Sequence, residues 1–228
     1  MTSRRFKYLD ALIHVFVVVL MVSNLVGAKI MALGPFRISG AQLLFPITYI
    51  FGDIFTEVYG YAASRRAIWT GFLASALLSV MGLITVALPP APDWPHQEAF
   101  ETVFHFVPRM VVASLVAYWA GEFSNAYVLA KLKLWTQGRH LWVRTIGSTV
   151  VGQFVDTVVV MVIAFGGSLS WELIATLIVS GYLGKVLYEA AATPLTYAVV
   201  NLLKRKEGVD VFDYETNFSP FRAEKERE

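Results

Sequence analysis

Cysteine is absent from this sequence of 228 residues, and histidine occurs only four times. The absence of cysteine excludes disulfide bonds, thiolate metal sites and cysteine nucleophiles. The histidines stand at positions 14, 96, 105 and 140, and no two of them have the helical spacing of zinc ligands. We therefore predict a protein without a cofactor or a bound metal ion.

Charge is scarce as well. Charged residues make up 16% of the chain, hydrophobic residues make up 56%, and the net charge is only +2. A soluble domain carries more charge and less apolar surface than this. Together with a mean hydropathy of +0.57, the composition indicates an integral membrane protein.

Six stretches of the chain are apolar over the roughly 20 residues that cross a bilayer. The first is too long for the apolar part of a signal peptide and lacks a persuasive cleavage site, so we interpret it as a transmembrane helix. The predicted fold is all-α: a polytopic membrane protein with six transmembrane helices in one bundle. The predicted spans are about 9–30, 41–62, 67–88, 109–130, 145–166 and 172–203.

The positions of lysine and arginine predict the orientation of these spans. Basic residues cluster before the first span and after the second, fourth and sixth, whereas the other connections are poor in them. Because cytoplasmic loops carry an excess of lysine and arginine, both termini are predicted to be cytoplasmic. We expect a transmembrane domain over residues 1–206 and a cytoplasmic tail over residues 207–228.

The stretch 45–66, FPITYIFGDIFTEVYGYAASRR, combines an apolar character with two acidic residues near its middle. On a helix, Asp53 and Glu57 stand one turn apart on the same face. A carboxylate at mid-bilayer costs roughly 3 kcal/mol on insertion scales. These two side chains are therefore expected to face a cavity, a cation or a ligand.

Other polar residues inside the spans also form local groups. An ionisable group within a membrane indicates a functional site by default, but structural alternatives exist. Lys29 could extend to the outer interface, and Lys185 could simply neutralise Glu189 within its own helix. The groups are Asn24 with Lys29, Glu122 with Asn125 (which a hydrogen bond between helices would explain), Gln153 with Asp156, and Lys185 with Glu189.

Five stretches of the chain share a pattern with a known family: SNLVGAKI (23–30), FPITYIFGDIFTEVYGYAASRRAIW (45–69), GQFVDTVVVMVIAF (152–165), GYLGKVLYEAAATPLTYAVV (181–200) and the tail 207–221. Taken in order, they resemble the queuosine precursor transporter family of the vitamin uptake transporter group. The resemblance implies import of a 7-deazaguanine across the cytoplasmic (inner) membrane. The base could be 7-cyano-7-deazaguanine, its 7-aminomethyl derivative or queuine. The implied six-helix fold is similar to the substrate-binding subunits of energy-coupling-factor transporters.

A base of this kind would explain the polar groups. Its ring N1–H and exocyclic amine are adjacent donors that one carboxylate can accept together. Its carbonyl suits a donor, and its flat face suits an aromatic ring. The candidate site residues are the carboxylates Asp53, Glu57, Asp156 and Glu189, the polar groups Lys185, Lys29, Asn24 and Gln153, and the aromatic residues Phe45, Tyr49 and Tyr188.

Two rival interpretations are a subunit of an ATP-driven transporter and an intramembrane enzyme. A binding subunit of an ATP-driven transporter would need a separate ATPase, since the chain has no Walker A motif. An intramembrane enzyme is not expected, because Gly166-Gly167-Ser168 lacks a full nucleophile elbow and no histidine lies in the last two spans. Proton coupling and facilitated diffusion both remain open.

The predicted partners are the small-molecule base and the lipid bilayer, without direct binding of nucleic acid. Small residues four positions apart, Ser148 with Gly152 and Ser180 with Gly184, would allow close helix packing. Such faces could also hold a homodimer together, and the sequence leaves that choice open.

Overall fold

The computed structural model describes residues 6–26, 29–33, 36–104 and 108–221. Within them the chain is all-α, as predicted, apart from one short antiparallel hairpin of β1 (Ile30–Leu33) and β2 (Phe36–Ser39). A 3₁₀ turn, Gly40–Leu43, follows the hairpin. The helices are α1 (Leu9–Val26), α2 (Phe45–Ile54), α3 (Tyr61–Ala87), α4 (Gln97–Phe104), α5 (Pro108–Trp135), α6 (Leu141–Phe165) and α7 (Trp171–Glu207).

Four of the described helices, α1, α3, α6 and α7, are long and apolar enough to cross a membrane. Helices α2 and α5 occupy the places of the second and fourth predicted spans. The count of six spans and the cytoplasmic position of both termini stay predictions.

The two ends of the described bundle meet at the same place. The Glu207 carboxylate, at the end of α7, accepts hydrogen bonds from the backbone N–H groups of Lys7 (3.0 Å) and Tyr8 (2.7 Å), just before α1. These N–H groups would otherwise lack a partner at the start of a helix. The start of α1 and the end of α7 therefore lie at one end of the bundle, which we call the terminal end.

The helix that follows the hairpin is interrupted. Helix α2 ends at Ile54, a π-helical turn runs over Phe55–Tyr59, and Gly60 then adopts φ 85° and ψ 171°. Only glycine adopts this conformation readily. A new helix, α3, consequently begins at Tyr61, earlier than the predicted start at residue 67. Asp53 thus stands just before the π turn and Glu57 within it.

Helices α5 and α6 cross closely at two glycines. A Cβ atom at Gly121 would lie 2.7 Å from the Cβ of Asp156, and one at Gly152 would lie 2.7 Å from the Cβ of Asn125. Real Cβ atoms do not approach so closely, so any larger residue would push the helices apart. Gly152 belongs to one of the small-residue patterns noted in the sequence.

Gly152→Leu is therefore expected to reduce the free energy of unfolding by about 1–3 kcal/mol or more, as overpacking does. The matched control is Gly184→Leu, because a Cβ at Gly184 meets no atom within 4 Å. Thermal unfolding in detergent would measure both variants. Equal melting temperatures for the two would contradict the close crossing.

Beyond α7 the chain turns back and packs along α3 as a C-terminal strap, residues 208–221. Asp213 accepts the backbone N–H of Tyr61 at 3.0 Å. The Arg65 guanidinium donates to the carbonyls of Asn217 and Ser219, both at 3.0 Å. The strap therefore fixes the start of α3, immediately after the Gly60 break.

Candidate functional site

A cavity of about 240 Å³ lies between α1, α2, α5, α6 and α7. It lies toward the end of the bundle opposite the terminal end, since its wall includes Asn24 near the close of α1. Pockets for small molecules usually measure about 300–1,000 Å³, so this one suits a compact ligand. Its polar and aromatic lining includes Asn24, Tyr49, Tyr118, Glu122, Asp156 and Lys185.

An ion pair bridges α6 and α7 in the cavity wall. The Lys185 ammonium lies 2.6 Å from Asp156 Oδ2 and donates to the Thr157 hydroxyl at 3.3 Å. The Lys185 side chain is 26% exposed to solvent, and the Asp156 side chain is 19% exposed. Lys185 thus pairs with the facing helix, and the predicted alternative of a pair with Glu189 in its own helix is wrong.

A second group of buried polar side chains, which we call the carboxyl layer, consists of Asp53, Asn125, Gln153 and Glu189. Asn125 Nδ2 donates to Asp53 Oδ1 at 3.5 Å. The Glu189 carboxyl, on α7, is buried near Asp53. Each member stands about one helical turn from a residue of the cavity wall, toward the terminal end. The carboxyl layer therefore forms the floor of the cavity.

The Glu57 carboxylate is fully buried and is held by two cations. Arg144 donates to it through both Nε (3.0 Å) and Nη2 (2.7 Å). The Lys204 ammonium lies 2.6 Å from Oε1 of the same carboxylate. A bidentate guanidinium with a second cation is a strong arrangement when water is excluded. This carboxylate faces protein cations and does not line the cavity.

Two further residues complete this charge cluster. The Lys133 ammonium is buried and lies 2.6 Å from Asp210 Oδ1 and 3.8 Å from Glu57 Oε1. Lys204 also contacts Asp210, at 2.9 Å. Burial raises the pKa of Asp210, but the hydrogen bonds from both lysines outweigh it and hold that pKa below its usual value. The charge cluster closes the bundle at its terminal end, behind the carboxyl layer.

The structure separates the predicted site residues into several places. Asn24, Tyr49, Asp156 and Lys185 line the cavity. Asp53, Gln153 and Glu189 lie in the carboxyl layer, and Glu57 lies in the charge cluster. Lys29 and Tyr188 are exposed and lie outside the cavity lining, and the side chain of Phe45 lies outside the described part of the chain.

Glu122 and Tyr118 are among the cavity residues that were missing from the predicted site. Glu122 had been considered with Asn125 as one hydrogen-bonding group, but Asn125 alone bonds Asp53 while Glu122 lines the cavity. Tyr118 lines it as well, and its buried hydroxyl has no hydrogen-bond partner in the described part of the chain. Their spacing, i and i+4 on α5, placed both on one helix face and could have identified them from the sequence.

Comparisons with known proteins agree with one another. Residues 39–199 match a family model described as a putative vitamin uptake transporter. A probable queuosine precursor transporter of Bacillus subtilis (strain 168) is 28% identical over 186 residues, which are 81% of each chain. The queuosine precursor transporter of Escherichia coli (strain K12) is 28% identical over 72% of this chain and 71% of its own. No solved structure matches.

Proposed function

Because the chain belongs to the putative vitamin uptake transporter family, we propose that it imports a queuosine precursor, a 7-deazaguanine base, through the cavity described above. Its relatives and its apolar helices make it a multi-pass protein of the inner membrane. The relatives are named as transporters, and we assign no catalytic step to the chain. The candidate bases are 7-cyano-7-deazaguanine, 7-aminomethyl-7-deazaguanine and queuine.

The observation that carries the proposal is the Asp156–Lys185 pair in the cavity wall. A guanine-like edge presents two adjacent donors beside a carbonyl acceptor. Asp156 would accept from the two donors, and Lys185 would donate to the carbonyl. Charge-assisted hydrogen bonds of this kind are the strong ones in a site shielded from water. The pair is therefore complementary to the edge that distinguishes guanine-like bases.

Size and shape support the same ligand. Tyr49 and Tyr118 supply aromatic rings to a cavity of about 240 Å³, and stacking of a base on such a ring is worth about 1–3 kcal/mol. Among the described residues that line the cavity, Lys185 is the cation, and its charge is already paired with Asp156. A free base fits these surroundings better than a nucleotide, whose phosphate would need further cations.

Uptake complementation tests the proposal. The host would be a bacterium that cannot make the 7-deazaguanine ring and lacks its own importer and any energy-coupling-factor module. Each candidate base would be supplied at nanomolar concentration, and queuosine in tRNA would be measured. We expect rescue by this chain alone, and the base that rescues at the lowest dose is its preferred substrate.

Failure with a protein shown to be inserted in the membrane would contradict a self-sufficient importer. Rescue only after an energy-coupling-factor ATPase module is added would instead identify the chain as the binding subunit of an ATP-driven transporter. A vector without the gene is the control for uptake by other routes.

A further inference from the structure

We propose that the carboxyl layer binds one small monovalent cation whose passage is coupled to that of the base, with Asp53 and Glu189 as its main ligands. The inference rests on the proposed function for the base, but the cation site itself follows from a different group of residues. Na⁺ and a proton share the required chemistry, a single positive charge held by carboxylates, and the experiment below separates them.

Buried oxygen atoms without hydrogen-bond partners mark the carboxyl layer. Buried polar atoms are nearly always paired in proteins, because an unpaired one loses its contact with water. Among the described residues, five side chains in or next to the carboxyl layer, each at most 2% exposed, have an oxygen without a partner. The atoms are Asp53 Oδ2, Asn125 Oδ1, Thr149 Oγ1, Gln153 Oε1 and Glu189 Oε1.

The surroundings of Asp53 include several acidic groups. Glu189 from α7, Glu122 from α5 and Glu57 from the adjoining π turn all act on its carboxyl group. From α6, Asp156 faces Glu122. A buried carboxylate requires a compensating charge, so this region attracts a cation.

The nearby protein cations are already engaged elsewhere. Lys185 pairs with Asp156, while Arg144 and Lys204 bind Glu57. In the described ranges no lysine or arginine forms an ion pair with Asp53 or Glu189. The compensating charge must therefore come from outside the chain.

The helix that carries Asp53 is interrupted directly after it. Interrupted membrane helices build the coupling-ion sites of many secondary transporters, beside the substrate and near mid-membrane. A π turn inside a helix also marks functional sites frequently. Asp53 lies just before this turn and one helical turn from Tyr49, and Glu189 lies one turn from Lys185. The proposed cation would thus contact the floor of the base cavity directly.

The ligand set also selects the type of cation. Carboxylate, amide and hydroxyl oxygens suit hard ions and not the metals that prefer sulfur or imidazole. Within the described residues no three or more acidic or histidine side chains converge as a metal site, which disfavours a divalent ion. Two carboxylates with neutral oxygens around them match Na⁺, and two neighbouring carboxyl groups can also hold one proton between them.

Proteoliposomes containing the purified full chain separate coupling from base transport. Counterflow, the exchange of labelled for unlabelled base without any ion gradient, reports base transport alone. Two gradients would then be imposed separately: an inward Na⁺ gradient at fixed pH, and an inward proton gradient without Na⁺. We expect one of them to drive accumulation of the base above equilibrium, and that gradient identifies the coupling ion. Counterflow without accumulation under either gradient would overturn the cation site and leave the proposed function intact. Loss of counterflow would contradict the proposed function itself.

Variants connect the coupling to this site. Glu189→Gln preserves the size of the side chain and removes its charge, so gradient-driven accumulation should be lost. The matched control is Glu172→Gln in the first turn of α7, where the side chain is exposed. For the wild type, saturating the coupling ion should strengthen base binding by about 5- to 150-fold, the usual range for coupled ligands. Undiminished accumulation by Glu189→Gln would contradict the assignment.

Discussion

Arg144→Met is expected to lower the free energy of unfolding by about 3–5 kcal/mol, the usual cost of removing one partner from a buried ion pair. The Arg144 side chain is 1% exposed and Glu57 is fully buried, so water cannot replace the lost guanidinium. Lys204 stays in contact with the carboxylate but supplies no bidentate partner. Thermal unfolding in detergent would measure the loss.

Two further variants give this prediction its controls. Arg66→Met removes one partner of an exposed ion pair. Arg66 lies 3.1 Å from Asp10, and the two side chains are 63% and 65% exposed. Exposed pairs contribute about 0–1 kcal/mol, so little change is expected there. The double variant Glu57→Gln with Arg144→Met removes one charge of each sign and should regain part of the stability. Equal melting temperatures for Arg144→Met and Arg66→Met would contradict the structural role of the cluster.

Asp156→Asn is expected to reduce base uptake by about tenfold or more, since each hydrogen bond to a charged group is worth about 1.5–3 kcal/mol. The amide oxygen still accepts, but it lacks the charge and the second acceptor that two adjacent donors require. Initial uptake rates at low base concentration, normalised to the amount of protein in the membrane, would measure the effect.

A base analogue makes this test specific for the site. The wild type should discriminate strongly against an analogue that lacks the exocyclic amine, because Asp156 is then left with an unsatisfied oxygen. The Asp156→Asn variant should lose most of that discrimination. Asp93→Asn, at an exposed position between α3 and α4, is the control. If Asp156→Asn rejected the analogue as strongly as the wild type does, Asp156 would not read that edge of the base.

Hydropathy predicted the all-helical class and the approximate places of the long helices, because lipid and protein cores both demand continuous apolar surface. It misplaced the start of α3, since the Gly60 conformation interrupts a stretch that remains apolar on both sides. The hairpin Ile30–Ser39 was also unforeseen. Pairing of such short strands depends on their surroundings.

The partners of the buried charged residues could not be predicted from the sequence. Glu57 and Asp53 looked equivalent, one turn apart in one apolar stretch, yet the structure places them in different groups. The difference lies in partners from distant parts of the chain, since Arg144 is 87 residues and Lys204 is 147 residues beyond Glu57. Both cations had been interpreted only as markers of the cytoplasmic side. A one-dimensional pattern shows that a carboxylate needs a partner, but packing decides which one it meets.

The charge cluster also constrains how the protein is made. Glu57 leaves the ribosome 147 residues before Lys204, one of the two cations that bind its carboxylate. At a synthesis rate of about 5–20 residues per second, the carboxylate waits on the order of ten seconds for that lysine. Until then the Glu57 carboxylate lacks one of its two partners. The charge cluster is therefore complete only after the last helix has been translated.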